Sequence, residues 1–347
     1  MMLLPCGLKC STNYPIQVFV YLVAIFCLLQ PGFGQTTEFS LWLQQVKTEA
    51  IERGIKQDVI DSALTGVQPI KRVLKRDKNQ SEFKLTLDRY LNRVVTEKNI
   101  RLARTKNREH RLILKEVYKR YGVPPRVILA IWGIETRFGL VKAKVPLIPS
   151  IVTLAYDKRR SKYFRAQLFA VLEMLNEGYI DQKSLFGSWA GAMGQPQFMP
   201  SSYLAYAQDF DGDGRRDIWK SIPDILASIA NYLARHGWVQ NLMWGREVLT
   251  PTSYGNNFRS LSRRATRGCR AKTSELKTLT QWNMEGVRKL NGQALPNVQI
   301  SGALVWPDGK QGRTFLTYKN YEAIMSYNCA HLYAITVGLF SDRMAIR

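Results

Sequence analysis

The segment from Pro125 to Thr136 constrains the fold of this chain more than any other. The prolines at its start, Pro124 and Pro125, suit the first turn of a helix, where the missing backbone N–H of proline is tolerated. From Val127 to Trp132 every residue is apolar, so a helix here has no polar face. A helix that is apolar on all sides is buried. The pattern therefore predicts a buried helix that carries one carboxyl group, Glu135, close to its end.

The remainder of the chain is mainly helical by its pattern, with one exception. From Phe39 to Tyr121, apolar residues recur every three or four positions. After about Gly245 this periodicity weakens, and residues 300–306 and 314–318 are typical of strands around a Pro-Asp-Gly turn. The stretch from His331 to Met344 is helical again. The sequence thus predicts an α+β fold that is mainly α, with a small β subdomain.

The N-terminal residues 1–34 have the layout of an export signal. Lys9 is their only charge, an apolar run extends from Ile16 to Leu29, and small residues close the segment at 32–34. This run is shorter than the ~20 residues that span a bilayer, so we expect a cleaved signal, with an uncleaved membrane anchor as the alternative. Bulky residues before Cys27 argue against lipid attachment there.

The chain is strongly basic, with a formal net charge of +23. A surplus of this size favours polyanionic partners. Nucleic acid is one such partner, but the basic residues are scattered and no zinc finger, RNP pattern or basic arm is present. A bacterial cell wall that bears peptide carboxylates fits the charge equally well, and an exported protein meets it first.

Cysteine and histidine usage gives no metal-binding pattern. Outside the export signal only Cys269 and Cys329 remain, and an oxidising compartment would permit a bridge between them, although their spacing does not establish one. His110, His236 and His331 are far apart in the sequence, and no Cys-x-x-Cys or His-x-x-x-His pair exists. Zinc is therefore disfavoured.

Glu135 lies in the sequence Gly-Ile-Glu-Thr-Arg-Phe-Gly, residues 133–139. Burial among apolar groups disfavours the charged form of a carboxyl and raises its pKa. A carboxyl that is still protonated near neutral pH is what a glycosidic general acid requires. A buried glutamate paired with Arg137 is the alternative, and this segment alone does not decide between the two.

Further motifs follow Glu135 along the chain. They are Tyr156, Arg159-Arg160, the block Gly187–Tyr203 with its sequence Gly-Ser-Trp-Ala-Gly-Ala-Met-Gly-Gln-Pro-Gln-Phe-Met-Pro-Ser-Ser-Tyr, the acidic stretch Asp209–Trp219, Asn231-Tyr232 and Tyr327-Asn328. In this order they closely resemble the lytic murein transglycosylase B family of Gram-negative bacteria. The resemblance extends from about Leu41 to Arg343, and the glycine-rich block is its most specific part.

The resemblance implies a lysozyme-like helical core with an N-terminal helical domain and a small β domain. The expected segments are the signal at 1–34, the N-terminal helical domain at 35–121, the catalytic core at 122–245, the β subdomain at 246–319 and a C-terminal segment at 320–347 that returns to the core. It also implies a periplasmic monomer that acts on peptidoglycan glycan strands, with cell-wall synthesis proteins as candidate partners and no nucleic acid.

The resemblance assigns the catalytic acid to Glu135. The positions that contact sugar in the family fall on Tyr90, Arg159, Arg160, Ser188, Gln197, Tyr232, Tyr327, Asn328 and Tyr333. These residue types suit a glycan, because tyrosine rings stack on sugars, amides bond hydroxyl and N-acetyl groups, and arginine pairs with carboxylates. Cys329 departs from the family beside the matched Asn328, which puts that side of the groove in doubt.

A mechanism with one carboxyl group follows from the same resemblance. Ordinary glycosidases use two carboxylates, whereas here Asp157, in a basic loop, fits a surface ion pair better than a second catalytic role. Glu135 would protonate the oxygen between MurNAc and GlcNAc, and the N-acetyl group would stabilise the cationic carbon. The carboxylate would then take the proton of the C6 hydroxyl, which closes a 1,6-anhydro ring. No cofactor is required.

The acidic stretch resembles an EF-hand loop. Asp209, Asp211 and Asp213 occupy its positions 1, 3 and 5, and the carbonyl of Arg215 occupies position 7. Position 12 is Lys220 instead of glutamate, and Asp224 further along is the substitute that the resemblance implies. We expect a weak structural calcium site, with an acidic turn plus a helix cap as the alternative.

Four other functions compete with the lytic transglycosylase. They are a muramidase that cleaves the same bond with water, a non-catalytic glycan-binding scaffold, a calcium-regulated binding protein and a DNA-binding protein. A buried Glu135 argues against the scaffold, Lys220 against calcium regulation, and the export signal against DNA binding.

Overall fold

The computed structural model describes residues 38–78, 85–251, 263–266, 268–309 and 312–345. The predicted export signal lies outside the described residues. The chain divides into two compact units, residues 1–49 and 50–347. Helix α1 (Glu38–Glu52) supplies all described residues of the first unit, and the other helices and strands belong to the second. The domain boundaries drawn from the sequence stay predictions.

Helices make up most of the second unit. They are α2 (Gln57–Leu64), α3 (Lys71–Lys78), α4 (Leu87–Val94), α5 (Glu97–Glu109), α6 (Arg111–Tyr121), α7 (Pro125–Thr136), α8 (Leu147–Tyr156), α9 (Ser161–Asn176), α10 (Pro200–Tyr206), α11 (Ile222–Arg235), α12 (Leu279–Met284), α13 (Lys319–Tyr327) and α14 (His331–Ala345). Together with one small sheet they confirm the predicted fold class, mainly α within α+β.

The strands are short, and the described pairs among them are antiparallel. They are β1 (Val145–Pro146), β2 (Phe186–Gly187), β3 (Gly245–Leu249), β4 (Arg263–Arg264), β5 (Lys272–Thr273), β6 (Lys277–Thr278), β7 (Arg288–Lys289), β8 (Ser301–Val305) and β9 (Thr314–Thr317). A five-stranded sheet has the order β6-β8-β9-β3-β7. Its own small core contains Trp282, Leu304 and Leu316, so this subdomain has a separate hydrophobic centre.

The apolar helix predicted from the sequence is α7, with the predicted start and end. It packs against α14, α5 and α11, and its residues from Val127 to Gly133 are buried. Gly133 is required on the α14 side, since a Cβ there would lie 2.7 Å from the ring of Phe138 and 3.1 Å from that of Phe340. This missing side chain lets both rings close over the helix.

Helix α7 ends in an unusual turn just after Glu135. Arg137, Phe138 and Gly139 all have positive φ, at 51°, 60° and 79°. Two successive non-glycine residues in this region are energetically costly. Buried contacts hold the turn: Phe138 is 5% exposed and meets Trp132 edge-on, with ring centroids 5.4 Å apart. The turn therefore fixes the end of the helix that carries Glu135.

Within the described part of the chain, no single helix is both long enough and apolar enough to cross a membrane. Only α13 and α14 taken together reach that length and composition, and a bend of 117° separates them.

Candidate active site

Glu135 is partly buried at the C-terminal end of α7. Its Oε1 accepts a hydrogen bond of 2.7 Å from the hydroxyl of Tyr333 in α14. Burial raises the pKa of Glu135 to about 7, although the Tyr333 bond, which favours the ionised form, acts in the opposite direction. Near neutral pH this carboxyl group can therefore both donate and accept a proton.

Three tyrosines form a cluster of contacting rings that reaches Glu135 through Tyr333, and we call this cluster the tyrosine wall: Tyr232, Tyr327 and Tyr333. The rings of Tyr327 and Tyr333 are stacked with centroids 6.4 Å apart, and those of Tyr232 and Tyr327 lie 4.8 Å apart. The hydroxyl of Tyr232 donates to the carbonyl of Ser326, and that of Tyr327 to the carbonyl of Pro196, each at 2.7 Å. These bonds fix the orientation of both rings.

Tyr90, on α4, lies close enough to Glu135 for the carboxylate charge to act on its hydroxyl. Burial is the largest cause that raises the pKa of Tyr90, and the charge of Glu135 is the next largest. The structure thus brings Tyr90 and the tyrosine wall together around Glu135, from helices far apart in the sequence.

Ser188 and Gln197 lie on the glycine-rich loop that follows β2. The Ser188 hydroxyl accepts the backbone N–H of Ala192 at 3.0 Å. Gln197 has a φ of 55°, and its side-chain nitrogen donates to the carbonyl of Gly194 at 2.9 Å. Both side chains are partly buried and brace their own loop.

Gln195, which the sequence reasoning did not single out, joins this loop to α7. Its side-chain oxygen accepts the indole N–H of Trp132 at 2.7 Å, and its side-chain nitrogen donates to the carbonyl of Trp219 at 2.8 Å. Its backbone carbonyl accepts the hydroxyl of Thr136 at 3.1 Å. The buried indole N–H of the apolar helix was the available signal, because such a donor requires an acceptor.

Arg159 and Arg160 bind a different carboxylate from Glu135. Both guanidinium groups pair with Asp77 of α3, which is only 5% exposed. Arg160 also lies over the ring of Phe164, 4.9 Å from its centroid. Asp157 accepts the backbone N–H of Arg159 at 3.0 Å, so its carboxylate shapes the same turn.

Asn328 is exposed at the corner between α13 and α14. The next residue, Cys329, forms a disulfide with Cys269, which settles the pairing that the sequence left open. Cys269 is 2% exposed, whereas Cys329 is exposed.

The acidic loop brings three carboxylates together. One oxygen each from Asp209, Asp211 and Asp213 lies within 4.8 Å of the others. Asp224 is fully buried, and its two oxygens accept the backbone N–H groups of Phe210 and Asp217, each at 2.7 Å. The three-carboxylate cluster has the donor chemistry that calcium prefers, while Asp224 already has a structural task in shaping the loop.

Comparison with known proteins gives a consistent picture. The family model described as "Transglycosylase SLT domain" matches residues 38–342. Membrane-bound lytic murein transglycosylase B of Escherichia coli is 40% identical over 153 residues, which span 44% of this chain and 42% of that protein.

Two solved structures are similar over most of this chain. SltB3 from Pseudomonas aeruginosa, in complex with NAG-anhNAM-pentapeptide, has a TM-score of 0.81 and 37% identity, covering 90% of this chain and 80% of its own. Escherichia coli Slt35 in complex with calcium has a TM-score of 0.73 and 28% identity, covering 88% and 92%. The predicted resemblance is confirmed. This chain belongs to the family of the transglycosylase SLT domain.

Proposed function

We propose that this protein is a peptidoglycan lytic transglycosylase that cleaves the MurNAc-GlcNAc β-1,4 bond without water and leaves 1,6-anhydro-MurNAc ends. Glu135 is the acid and then the base of this reaction. The observation that carries the proposal is a carboxyl group with a pKa of about 7, held by Tyr333 beside an aromatic surface. The family match supports the same reaction, and the anhydro sugar bound to the similar SltB3 is its product type.

A single carboxyl group is sufficient for this chemistry. A second carboxylate at the ~5 Å of a retaining glycosidase would raise the pKa of Glu135 by charge repulsion. Among the described residues, burial is what raises the Glu135 pKa, and the Tyr333 bond opposes it. This favours a nucleophile that belongs to the substrate, its own C6 hydroxyl, over a protein carboxylate.

The reaction proceeds in two proton transfers that both use the carboxyl group of Glu135. Protonated Glu135 gives its proton to the bridging oxygen as the glycosidic bond breaks, and the MurNAc N-acetyl group stabilises the cationic carbon. Ionised Glu135 then removes the proton of the C6 hydroxyl, whose oxygen bonds to that carbon. Every atom of the broken bond remains in the two products, and no water is consumed.

The substrate lies along the tyrosine wall in this proposal. Tyr327 is partly exposed and offers a ring surface to a sugar. Tyr232 and Tyr333 are 8% and 4% exposed and contact the sugar at their exposed edges, and Tyr90 is a further contact. Ser188, Gln197 and Asn328 supply polar contacts to hydroxyl and N-acetyl groups. Arg159 and Arg160 contact the carboxylates of peptide stems while they remain paired with Asp77.

Mass spectrometry of muropeptides tests the reaction. Purified sacculi are incubated with the protein and with the Glu135→Gln variant, which keeps the side-chain shape but cannot supply the proton. We expect 1,6-anhydro-MurNAc ends from the unmodified protein, one water lighter than hydrolysed ends, and none from the variant. Reducing MurNAc ends would identify a muramidase with the same acid. No released products, with the fold intact, would favour a glycan-binding scaffold.

Asp209, Asp211 and Asp213 hold a structural calcium ion in this proposal, with the Arg215 carbonyl as a further ligand. The convergence of three carboxylates and the calcium complex of the similar Slt35 support it. Asp224, the predicted fifth ligand, is proposed to shape the loop around the ion. Catalysis needs no cofactor, because the proton chemistry belongs to Glu135 and the substrate.

The proposed substrate implies the cellular location of the protein. Peptidoglycan lies outside the inner membrane of Gram-negative bacteria, so we place the protein in the periplasm, exported by residues 1–34. It is proposed to act as a monomer, with cell-wall synthesis proteins as further partners and no nucleic-acid ligand.

A further inference from the structure

Residues 263–273, which include β4 and β5, form a segment that we call the strap. Of its residues, all but 267 are described. The two strands pair antiparallel, Arg263 with Thr273 and Arg264 with Lys272. The strap lies against the corner between α13 and α14, which carries two members of the tyrosine wall.

Four bonds tie the strap to these two helices. They are the ion pair of Arg263 with Glu322, the hydroxyl contact of Thr266 with Ser326 at 3.1 Å, the Cys269–Cys329 disulfide, and a 2.9 Å hydrogen bond between the Lys272 carbonyl and His331 Nε2. Because a carbonyl only accepts, Nε2 of His331 is the donor. Two of the bonds lie along α13 and one at the first residue of α14, and the disulfide is at the corner itself.

The strap also packs into the main hydrophobic core through Ala265 and Cys269, which are 1% and 2% exposed. A cavity of about 280 Å³ borders its other side, lined in part by Arg263 and Thr273. Of the bonds to the two helices, only the disulfide is covalent. Opening it therefore leaves three weaker bonds, together with the packing of Ala265 and Cys269, to hold the strap against the corner.

Two members of the tyrosine wall lie close to this corner along the chain. Tyr327 precedes Cys329 by two residues and Tyr333 follows it by four. A hydrogen bond of 2.7 Å from the backbone N–H of Ala330 to the Asn328 carbonyl makes the corner tight, so a shift at Cys329 reaches both rings.

We propose that the Cys269–Cys329 disulfide is a positioning element that holds the tyrosine wall against Glu135. This inference rests on the proposed function for its consequence in catalysis. The exposed Cys329 makes the bond accessible to a reductant. Reduction by a dithiol adds two electrons and two protons to the sulfurs, opens the bond and oxidises the dithiol to its own disulfide.

The test compares the native protein with Cys269→Ala/Cys329→Ser, since alanine suits the buried position and serine the exposed one. Two readouts respond to positioning and not to stability alone. The pKa of Glu135, followed by NMR of 13C-labelled carboxyl groups, rises in the variant, because Tyr333 no longer favours the ionised form. The kcat/KM on sacculi falls by roughly 10- to 100-fold, as expected for a misplaced site.

Thr278→Ala is the matched control. It removes a capping box in the β subdomain, away from Glu135, and lowers stability without touching the strap–helix bonds. We expect it to lower Tm while the pKa of Glu135 and kcat/KM stay unchanged. An equal effect of both variants on kcat/KM would overturn the inference, as would an unchanged Glu135 pKa in the double variant.

If the double variant fails to fold, reduction of the disulfide in the native protein by dithiothreitol tests the same inference. Retained circular dichroism with a raised Glu135 pKa supports positioning, whereas loss of the folded signal shows a role in stability alone and overturns it. Because NMR needs no turnover, the pKa readout decides this inference even where no anhydro product forms. Absence of that product in native protein would instead refute the proposed function.

Discussion

At the residue scale, the burial of Glu135 and its bond to Tyr333 together set the pH range of the site. Burial favours the protonated acid, and the Tyr333 bond opposes it less strongly by favouring the carboxylate, which leaves the pKa of Glu135 at about 7. A general acid must be protonated, so activity should be lost as pH rises through that value. The free energy of unfolding should fall over the same pH range. Because the pKa of Glu135 is raised in the folded state, the folded protein holds this proton more tightly than the unfolded chain, and its contribution to stability is lost as pH rises from 4.5 to about 7.

Replacing Tyr333 by phenylalanine should move the alkaline limb of the pH–rate profile to higher pH. A hydrogen bond to a charged group contributes about 1.5–3 kcal/mol, which corresponds to a shift of about one to two pH units. The profile of kcat/KM on sacculi between pH 5 and 9 measures it.

Tyr203→Phe is the matched control, because it also removes a buried tyrosine hydroxyl but one that does not bond Glu135. The Tyr203 hydroxyl is buried and has no hydrogen-bond partner among the described residues, so its loss should leave the profile in place. An alkaline limb that stays put in Tyr333→Phe, or shifts downward, would contradict the assignment of the acid to Glu135.

At the scale of elements, the acidic loop between α10 and α11 is the segment most dependent on a ligand. Its three clustered carboxylates repel one another when ionised, and a divalent cation relieves that repulsion. Binding to the folded state alone stabilises it by mass action, about 2.7 kcal/mol at 100-fold excess over Kd.

Removal of calcium by EGTA should therefore lower Tm by at least ~2 °C, and Asp213→Asn should abolish the difference. Asparagine keeps the oxygen that accepts the backbone N–H of Arg215 but loses the charge. Asp217→Asn, in the same loop but outside the cluster, should retain the calcium response. A melt indifferent to EGTA in the native protein would remove the proposed calcium site.

The elements that sequence reasoning could predict are those whose signal is local. Helix α7 was predicted at both ends because its prolines and its apolar composition lie within one segment. Strands β8 and β9 followed from residues 300–306 and 314–318 for the same reason. The family resemblance implied Tyr333 as a sugar contact, but its bond to Glu135 was not predicted, since 198 residues separate the two.

Long-range pairings carried no local signal. The Asp77 carboxylate that binds Arg159 lies 82 residues before it, and the disulfide joins cysteines 60 residues apart. Neither periodicity nor spacing constrains such contacts, because they depend on how the helices pack. The same holds for Gln195, whose three bonds join segments from α7 to Trp219.

At the scale of the whole molecule, the net charge of +23 should dominate the first encounter with the cell wall. Attraction of this kind raises association rates and weakens steeply with ionic strength. Binding of the Glu135→Gln variant to sacculi should fall by at least ~10-fold between low and moderately high salt. Sedimentation of sacculi with bound protein measures it.

Sacculi whose carboxylates are converted to neutral amides by carbodiimide coupling serve as the control, because they keep the glycan and its cross-links but lose most of the negative charge. Binding to them should be weaker and less dependent on salt. Equal salt dependence on both substrates would show that the charge acts on something other than the stems.

The partly buried position of Glu135 at the end of α7 has a consequence for the second half of the proposed reaction. With a pKa of about 7 in place of 4.5, the carboxylate left after bond cleavage binds a proton about 300-fold more strongly than an ordinary glutamate. The environment that keeps the proton on before cleavage thus strengthens the base that closes the anhydro ring. Each turnover returns Glu135 to its starting protonation state with a proton taken from the substrate, so successive cuts need none from solvent.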